Sequence, residues 1–198
     1  MDYEHGNSGA FFMRLTELLE PKKIEEIVGQ KHLTRPDSVF SKVVLSGNFE
    51  SAIFSGPPGT GKTSMAKVVC ECLSLPFYNL HGASSGVSEI KNIVETSKRY
   101  GKPSVIFIDE IHRFSKNQQD LLMKVIDDKH GLLIGASTEN PYFSLTPALR
   151  SRSILFNFNP IDEEGFKKLF TKASEVLKKM YDVKDVAIED SELSLIIK

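Results

Sequence analysis

The eight residues Gly56-Pro57-Pro58-Gly59-Thr60-Gly61-Lys62-Thr63 constrain this chain more than any other stretch, because they match G-x-x-x-x-G-K-[ST]. The pattern has structural meaning only where a strand precedes it and a helix follows. Both are predicted. Ala52 to Ser55 is a short apolar run, and after Thr63 the residues Met65, Val68, Val69, Cys72 and Leu73 recur at helical spacing. Glycines in such a loop let the backbone turn its N–H groups inward, and the helix N-terminus adds partial positive charge. A triphosphate can then be held with few cationic side chains. Lys62 is expected to reach the β and γ oxygens and the Thr63 hydroxyl to ligate Mg2+, with Pro57, Pro58, Gly59, Thr60, Gly61 and Ser64 completing the cradle.

From about Glu50 onward, short apolar runs alternate with helix-period segments, the pattern of β-α-β units and a parallel sheet. The predicted strands are Ala52 to Ser55, Pro76 to Leu80, Ser104 to Ile108, Leu132 to Ser137 and Ser153 to Phe158. A second helix is predicted from Val87 to Arg99, capped by Ser88 and stopped by Gly101-Lys102-Pro103, and a third from Asn117 to Asp127. Composition changes after Asn159-Pro160. Asp162 to Met180 is a lysine-rich amphipathic helix with Phe166, Leu169, Phe170, Ala173 and Leu177 on one side, and Asp190 would cap a further helix over Ile188 to Ile197. The expected division is an N-terminal segment over 1–22, an α/β core over 23–160 and an incomplete helical subdomain over 161–198.

The run Val105-Ile106-Phe107-Ile108 ends in two carboxylates, Asp109 and Glu110. Coupled to a phosphate loop, Asp109 is expected to hold Mg2+ through its water shell and Glu110 to orient and polarise an attacking water. The alternative is that the two acids cap a helix starting at Ile111-His112. Leu133-Ile134-Gly135-Ala136 runs into Ser137-Thr138. Ligands lie at the C-terminal edge of a parallel sheet, so Thr138 is a candidate contact for the γ-phosphate or the water. Alternatively, these residues begin the Glu139-Asn140-Pro141 turn.

Charge narrows the partners. With 25 Lys and Arg against 26 Asp and Glu, the chain cannot hold nucleic acid by bulk positive charge. Only local groups could meet phosphates: Lys91, Lys98 and Arg99 on the second helix, and Arg113 and Lys116 after the acidic pair. Cys70 and Cys72 are too close to bridge and lack C-x-x-C spacing, which favours buried thiols, with Cys72 on the inner helix face. No stretch approaches the ~18 apolar residues of a spanning helix, and the first residues, with acidic Asp2 and Glu4 and only the short apolar cluster Ala10-Phe11-Phe12-Met13, are unlike a secretory signal. The expectation is a soluble, cytoplasmic protein without a membrane partner.

Four blocks together carry a resemblance: Ile27-Val28-Gly29-Gln30, the loop Gly56 to Thr63, DEIHRFSKNQQD at Asp109 to Asp120, and GASTENPYFSLTPALRSR at Gly135 to Arg152. The chain resembles AAA+ ATPases of the clamp-loader clade, and more narrowly the replication-associated recombination protein A family, which includes the Werner-helicase-interacting ATPases. The resemblance runs from about Ile24 to Pro160. It implies a P-loop NTPase core, ATP/ADP and Mg2+ as ligands, Thr138 as the first sensor, and Arg152 as a finger acting on ATP held by a neighbouring subunit, with Arg150 as the competing candidate. It places Val28 and Gly29 near the adenine base. It implies action on DNA at stalled forks, gaps or recombination intermediates, a homo-oligomer, replication or recombination proteins as partners, and association with the nucleoid if the source is bacterial. Where this family has Arg-Pro before its I-V-G-Q block, this chain has Glu20-Pro21. The family continues into a fuller lid with a second sensor arginine and an assembly region, which this sequence does not reach, so hydrolysis by this chain alone is expected to be weak.

Two rival enzyme readings fit less well. Asp109-Glu110-Ile111-His112 spells a DExH box, but a superfamily 2 helicase needs two RecA-like lobes, and a GTPase needs an N-K-x-D segment that is absent. A non-catalytic, nucleotide-dependent interaction subunit remains open as the alternative.

Overall fold

Buried parallel strands read as continuous apolar runs, and the sheet forms where those runs lie. The computed structural model describes residues 15–127 and 129–181. Five strands, β1 (Ser51–Ser55), β2 (Phe77–His81), β3 (Ser104–Asp109), β4 (Gly131–Ser137) and β5 (Ile154–Asn157), pair in the order β2-β3-β4-β1-β5, all parallel. The register sets Ser55 beside Ser137 and Asn157, and His81 beside Asp109. The C-terminal strand ends therefore share one edge.

Alternate residues of each strand serve two cores, one on each face. Ala52, Phe54, Val105, Phe107, Ile134, Ala136 and Phe156 pack on one side with Met65, Ala66 and Val69. Ile53, Leu80, Ile106, Ile108 and Leu133 pack on the other with Ile90, Ile93, Val94, Leu122 and Ile126. Rings of Phe40, Phe54, Phe156 and Phe158 meet at centroid distances of 5.0–6.2 Å, in tilted and edge-on geometry. The result is a three-layer α/β/α sandwich.

The flanking helices are α1 (Lys31–Thr34), α2 (Lys62–Leu73), α3 (Val87–Tyr100), α4 (Lys116–Asp127), α5 (Pro141–Ser144) and α6 (Pro147–Ser151), with a π-turn over Phe40–Val44. Helix α3 stops as the sequence predicts: Gly101 is left-handed (φ 65°) and its N–H donates to the carbonyls of Ser97 and Lys98. Its start differs. Gly86 is the N-cap, with no side-chain cap bond, so Ser88 lies inside the first turn. Helix α4 begins one residue before the predicted start, where Ser115 and Gln118 exchange backbone-to-side-chain bonds of 2.9 and 3.4 Å, the pairing of a capping box.

The two cysteines correct the predicted helix face. The buried stripe of α2 runs through Lys62, Met65, Ala66, Val69 and Cys70, which places Cys72 on the flank of the last turn, exposed. Cys70 takes the inner position and its Sγ donates to the Leu75 carbonyl at 2.6 Å. Burial, with Glu71 adding, raises the Cys70 thiol pKa.

The chain divides into two compact units, Lys22–Pro160 and the described parts of 1–21 and 161–198. The second contains helix α7 (Glu163–Tyr181), capped by Asp162, whose Oδ1 accepts the Gly165 N–H at 2.8 Å. Lys168 binds Glu164 and Lys167 binds Glu163, both i,i+4 pairs at 2.6 Å. Phe166, Leu169, Phe170, Ala173 and Leu177 form a half-buried stripe. The predicted helix over Ile188 to Ile197 lies outside the described residues.

Candidate nucleotide-binding site

The phosphate loop leaves β1 in a place where no side chain fits. A Cβ on Gly56 would stand 2.3 Å from the Phe158 carbonyl oxygen, and the Gly56 N–H donates to the Ser137 carbonyl at 3.1 Å. The loop then closes on itself. Thr60 Oγ1 donates to the Pro57 carbonyl at 2.9 Å, and Gly61, left-handed at φ 88°, caps α2. A glycine is favoured there because a side chain on a left-handed residue strains against its own carbonyl.

Lys62 opens α2 and its ammonium turns back onto the loop, donating to Gly56 and Pro57 carbonyls at 2.8 and 2.7 Å. Burial lowers its pKa from the ordinary 10.5, and the Asp109 carboxylate offsets part of that. A cleft of about 420 Å³ lies over the loop. Its walls are Pro58 to Ser64 from the loop and α2, Asp109 and Glu110 from the end of β3, Thr138 from the end of β4, and His81 from the end of β2. The volume falls within the range of small-ligand pockets.

Glu110 itself is left-handed (φ 51°, ψ 46°), an uncommon conformation for a residue with a side chain. Strain of this kind clusters at functional sites. It directs the carboxylate to Arg113 Nε, in an i,i+3 ion pair, with His81 Nε2 3.8 Å away. The Glu110 N–H donates to Asp109 Oδ1 at 3.0 Å. These acids precede only a 3₁₀ turn over Ile111–Arg113, not a long helix.

The end of β4 is also tied. Ser137 is buried, its Oγ donating to the Glu139 carbonyl at 2.9 Å and lying 3.1 Å from His112 Nδ1, while the next residue, Thr138, faces the cleft. Gln119, 2% exposed, bonds the Phe114 and Ser144 carbonyls and accepts the Thr146 N–H.

The sequence expectations sort clearly by place. Pro58, Gly59, Thr60, Gly61, Lys62, Thr63, Ser64, Asp109, Glu110 and Thr138 come together at the cleft. Pro57 contributes its carbonyl to Lys62 and Thr60. Val28 and Gly29 do not line the cleft, but their neighbour Gln30 bonds the Thr60 carbonyl at 3.2 Å. Arg152 precedes β5, at the opposite edge of the sheet, where it pairs with Asp127. That hydrogen bond and the carboxylate's charge raise the guanidinium pKa. Arg150 lies over the Tyr142 ring, 5.2 Å from its centroid. Lys91, Lys98, Arg99 and Lys116 are exposed on α3 and α4, whereas Arg113 is engaged by Glu110.

Sequence reasoning assigned no role to Gln30, His81 or Gln119, and weighed His112 only as a metal ligand, setting it aside for want of a second ligand at useful spacing. Only the position of His81 at a strand's C-terminal end could have marked one of them in advance.

The donor set suits Mg2+. Among the described residues no three His, Cys, Asp or Glu side chains gather into a cage. A hard cation that arrives with phosphates and keeps its waters needs only one or two protein oxygens, and Thr63 and Asp109 at the cleft offer two.

Residues 52–159 match the ATPase family associated with various cellular activities (AAA). The chain belongs to this family. Within the AAA proteins it is similar to replication-associated recombination protein A. It is 32% identical over 182 residues to that protein from Escherichia coli, covering 90% of this chain and 41% of the relative. It is 35% identical over 187 residues to the ATPase WRNIP1 of Dictyostelium discoideum, covering 93% of this chain and 21% of that protein. Among solved structures, the RuvB Holliday junction branch migration motor of Thermotoga maritima superposes with a TM-score of 0.70 at 26% identity, over 91% of this chain and 60% of that one. This chain thus spans from about a fifth to two fifths of the length of these curated relatives. Among the described residues no helix is long and apolar enough to cross a membrane.

Proposed function

We propose that this AAA module binds and hydrolyses ATP with Mg2+ and couples that cycle to work on DNA in replication or recombination. The observation that supports the reading best is the single cleft shared by the loop, the Asp109-Glu110 pair and Thr138. Backbone N–H groups of the loop and the Lys62 ammonium bind the β- and γ-phosphates, Lys62 leaving the two loop carbonyls it now holds. Mg2+, held by Thr63 and Asp109, would neutralise charge on the β- and γ-phosphate oxygens. Glu110 takes the proton of the attacking water as its oxygen bonds to the γ-phosphorus, the bridging bond breaks, and ADP leaves with the electron pair. Thr138 orients that water. Arg152, at the far sheet edge, serves a neighbouring copy, and Val28 and Gly29 lie toward the base.

On this reading residues 1–22 are an N-terminal segment, 23–160 the catalytic core and 161–198 part of a lid, in a cytoplasmic homo-oligomer, nucleoid-associated if bacterial, that meets replication or recombination proteins. DNA with a fork, gap or single strand is the proposed substrate, and Lys91, Arg113 and Lys116 its phosphate contacts. What supports DNA is the likeness to replication-associated recombination protein A. Its action by phosphate contact predicts salt-dependent, sequence-indifferent binding.

The engagement of Glu110 by Arg113 favours a second reading, a subunit that binds nucleotide without turning it over. Phosphate release across protein concentration, with and without forked DNA, separates the two for wild type, Glu110→Gln and Arg152→Ala. A rate that rises with concentration and is lost in both variants supports the ATPase. Nucleotide binding without turnover at any concentration refutes it in favour of the second reading.

A further inference from the structure

Gln30 closes the Ile27-Val28-Gly29-Gln30 block and has no exposed surface. A buried carboxamide must find partners for its N–H groups and its oxygen, and Gln30 finds them in two distant segments. Its Nε2 donates to the Thr60 carbonyl at 3.2 Å and to the Asn159 carbonyl at 2.7 Å, and its Oε1 accepts the Asn159 N–H at 3.1 Å. Its own carbonyl accepts the Leu33 N–H at 2.9 Å, starting α1. Alongside, His32 Nε2 lies 2.8 Å from the Asn157 carbonyl. The phosphate loop is thereby tied to the chain leaving β5.

The bond to Thr60 has a further effect. A trans peptide is planar, with its C=O and N–H pointing to opposite sides. Drawing the Thr60 carbonyl inward to Gln30 turns the Gly61 N–H of the same peptide the other way, and Gly61 lines the cleft. An N–H aimed there is one of the donors a phosphate needs.

We propose that Gln30 is a positioning residue for nucleotide binding: through the Thr60 carbonyl it sets the direction of the Gly61 N–H. The proposal rests on the nucleotide-binding reading given above. Its core is the donor side of the amide, because both Nε2 bonds run to backbone carbonyls.

Two replacements of similar size separate donor from bulk. Gln30→Glu keeps the acceptor but, when ionised, has no hydrogen to donate; when protonated it donates one. Gln30→Met donates at no pH. A fluorescent methylanthraniloyl-ATP with Mg2+ is titrated into wild type and each variant from pH 5.5 to 8.5, well below each melting midpoint, and affinities are expressed as ratios to wild type. The ratio cancels titration of the phosphates themselves. Both variants should bind about tenfold more weakly at pH 8, the scale of an unsatisfied buried carbonyl. The Gln30→Glu ratio should return toward one as pH falls, while the Gln30→Met ratio stays flat. A ratio within twofold of one for Gln30→Met overturns the proposal, as does a Gln30→Glu deficit that does not change with pH.

A measurement on the wild type stands independently of whether the variants fold. Saturating Mg-ADP should slow hydrogen exchange at the Asn159 amide together with those of Gly61 to Thr63, and unchanged exchange at Asn159 would overturn the coupling. Absence of nucleotide binding by the wild type is a different failure, that of the function itself, and removes this inference with it.

Discussion

Removing the guanidinium of Arg113 should make the chain a faster ATPase. In the structure the Glu110 carboxylate, the proposed acceptor of the water's proton, is held by Arg113 Nε. A carboxylate committed to an ion pair is unavailable as a base, so turnover depends on the fraction of time it is free. Side-chain exposures of 54% for Arg113 and 28% for Glu110 place the pair at the partly solvated end, worth about 0.5–1 kcal/mol. At about 1.4 kcal/mol per factor of ten, losing it raises the free fraction two- to fivefold. His81, 3.8 Å away, stays in place and limits the gain. The assay is steady-state phosphate release at saturating Mg-ATP for Arg113→Ala and wild type at one protein concentration, with nucleotide affinity measured in parallel. Forked DNA should give wild type a similar rise, if its phosphates draw Arg113 away, and should have less effect on the variant. An unchanged or lower rate in Arg113→Ala, at unaltered affinity, would show that the ion pair does not restrain Glu110.

Two further outcomes follow from the loop. Because burial holds the Lys62 pKa below 10.5, the unfolded chain keeps that proton more tightly, and the contribution of Lys62 to stability rises with pH between the lowered value and 10.5. Phosphate binding needs the proton, so ATP affinity should fall across the same window; calorimetry and melts of wild type against Lys62→Met check both trends, and identical pH profiles would contradict them. Gly56→Ala, with a Cβ 2.3 Å from the Phe158 carbonyl, should cost about 1–3 kcal/mol in urea unfolding, and an unmoved midpoint would mean that the loop's exit from β1 is not closely packed.

The three central strands were legible because they are buried on both faces, so Ile53-Phe54 or Ile106-Phe107-Ile108 form apolar runs without alternation. The loop and the Asp109-Glu110 pair were legible because their chemistry is local in sequence. Residues 31–49 gave no such signal. There Phe40 and Val44 are buried from a π-turn of only five residues, too short to show a period. Cys72 was misplaced because Cys70, two residues before it, takes the inner position on the stripe, and the last turn of α2 leaves Cys72 exposed on its flank. Gln30 and Gln119 were invisible for a different reason: each matters through carbonyls distant in sequence, and nothing in a glutamine's neighbours announces that. Arg113 read as a free cation because its partner three residues earlier had already been assigned to water.

The parallel sheet gives this chain a direction. The cleft sits where the strands end, and Arg152 where β5 begins. Strands of about five residues separate such edges by roughly 16 Å. If Arg152 serves a neighbour, the contact joins two unlike surfaces, head to tail. Every pair so formed leaves one cleft and one arginine unspent, inviting the next copy. Such a contact ends only by closing a ring; otherwise it grows as a filament, and a lone pair would carry one completed site between two subunits.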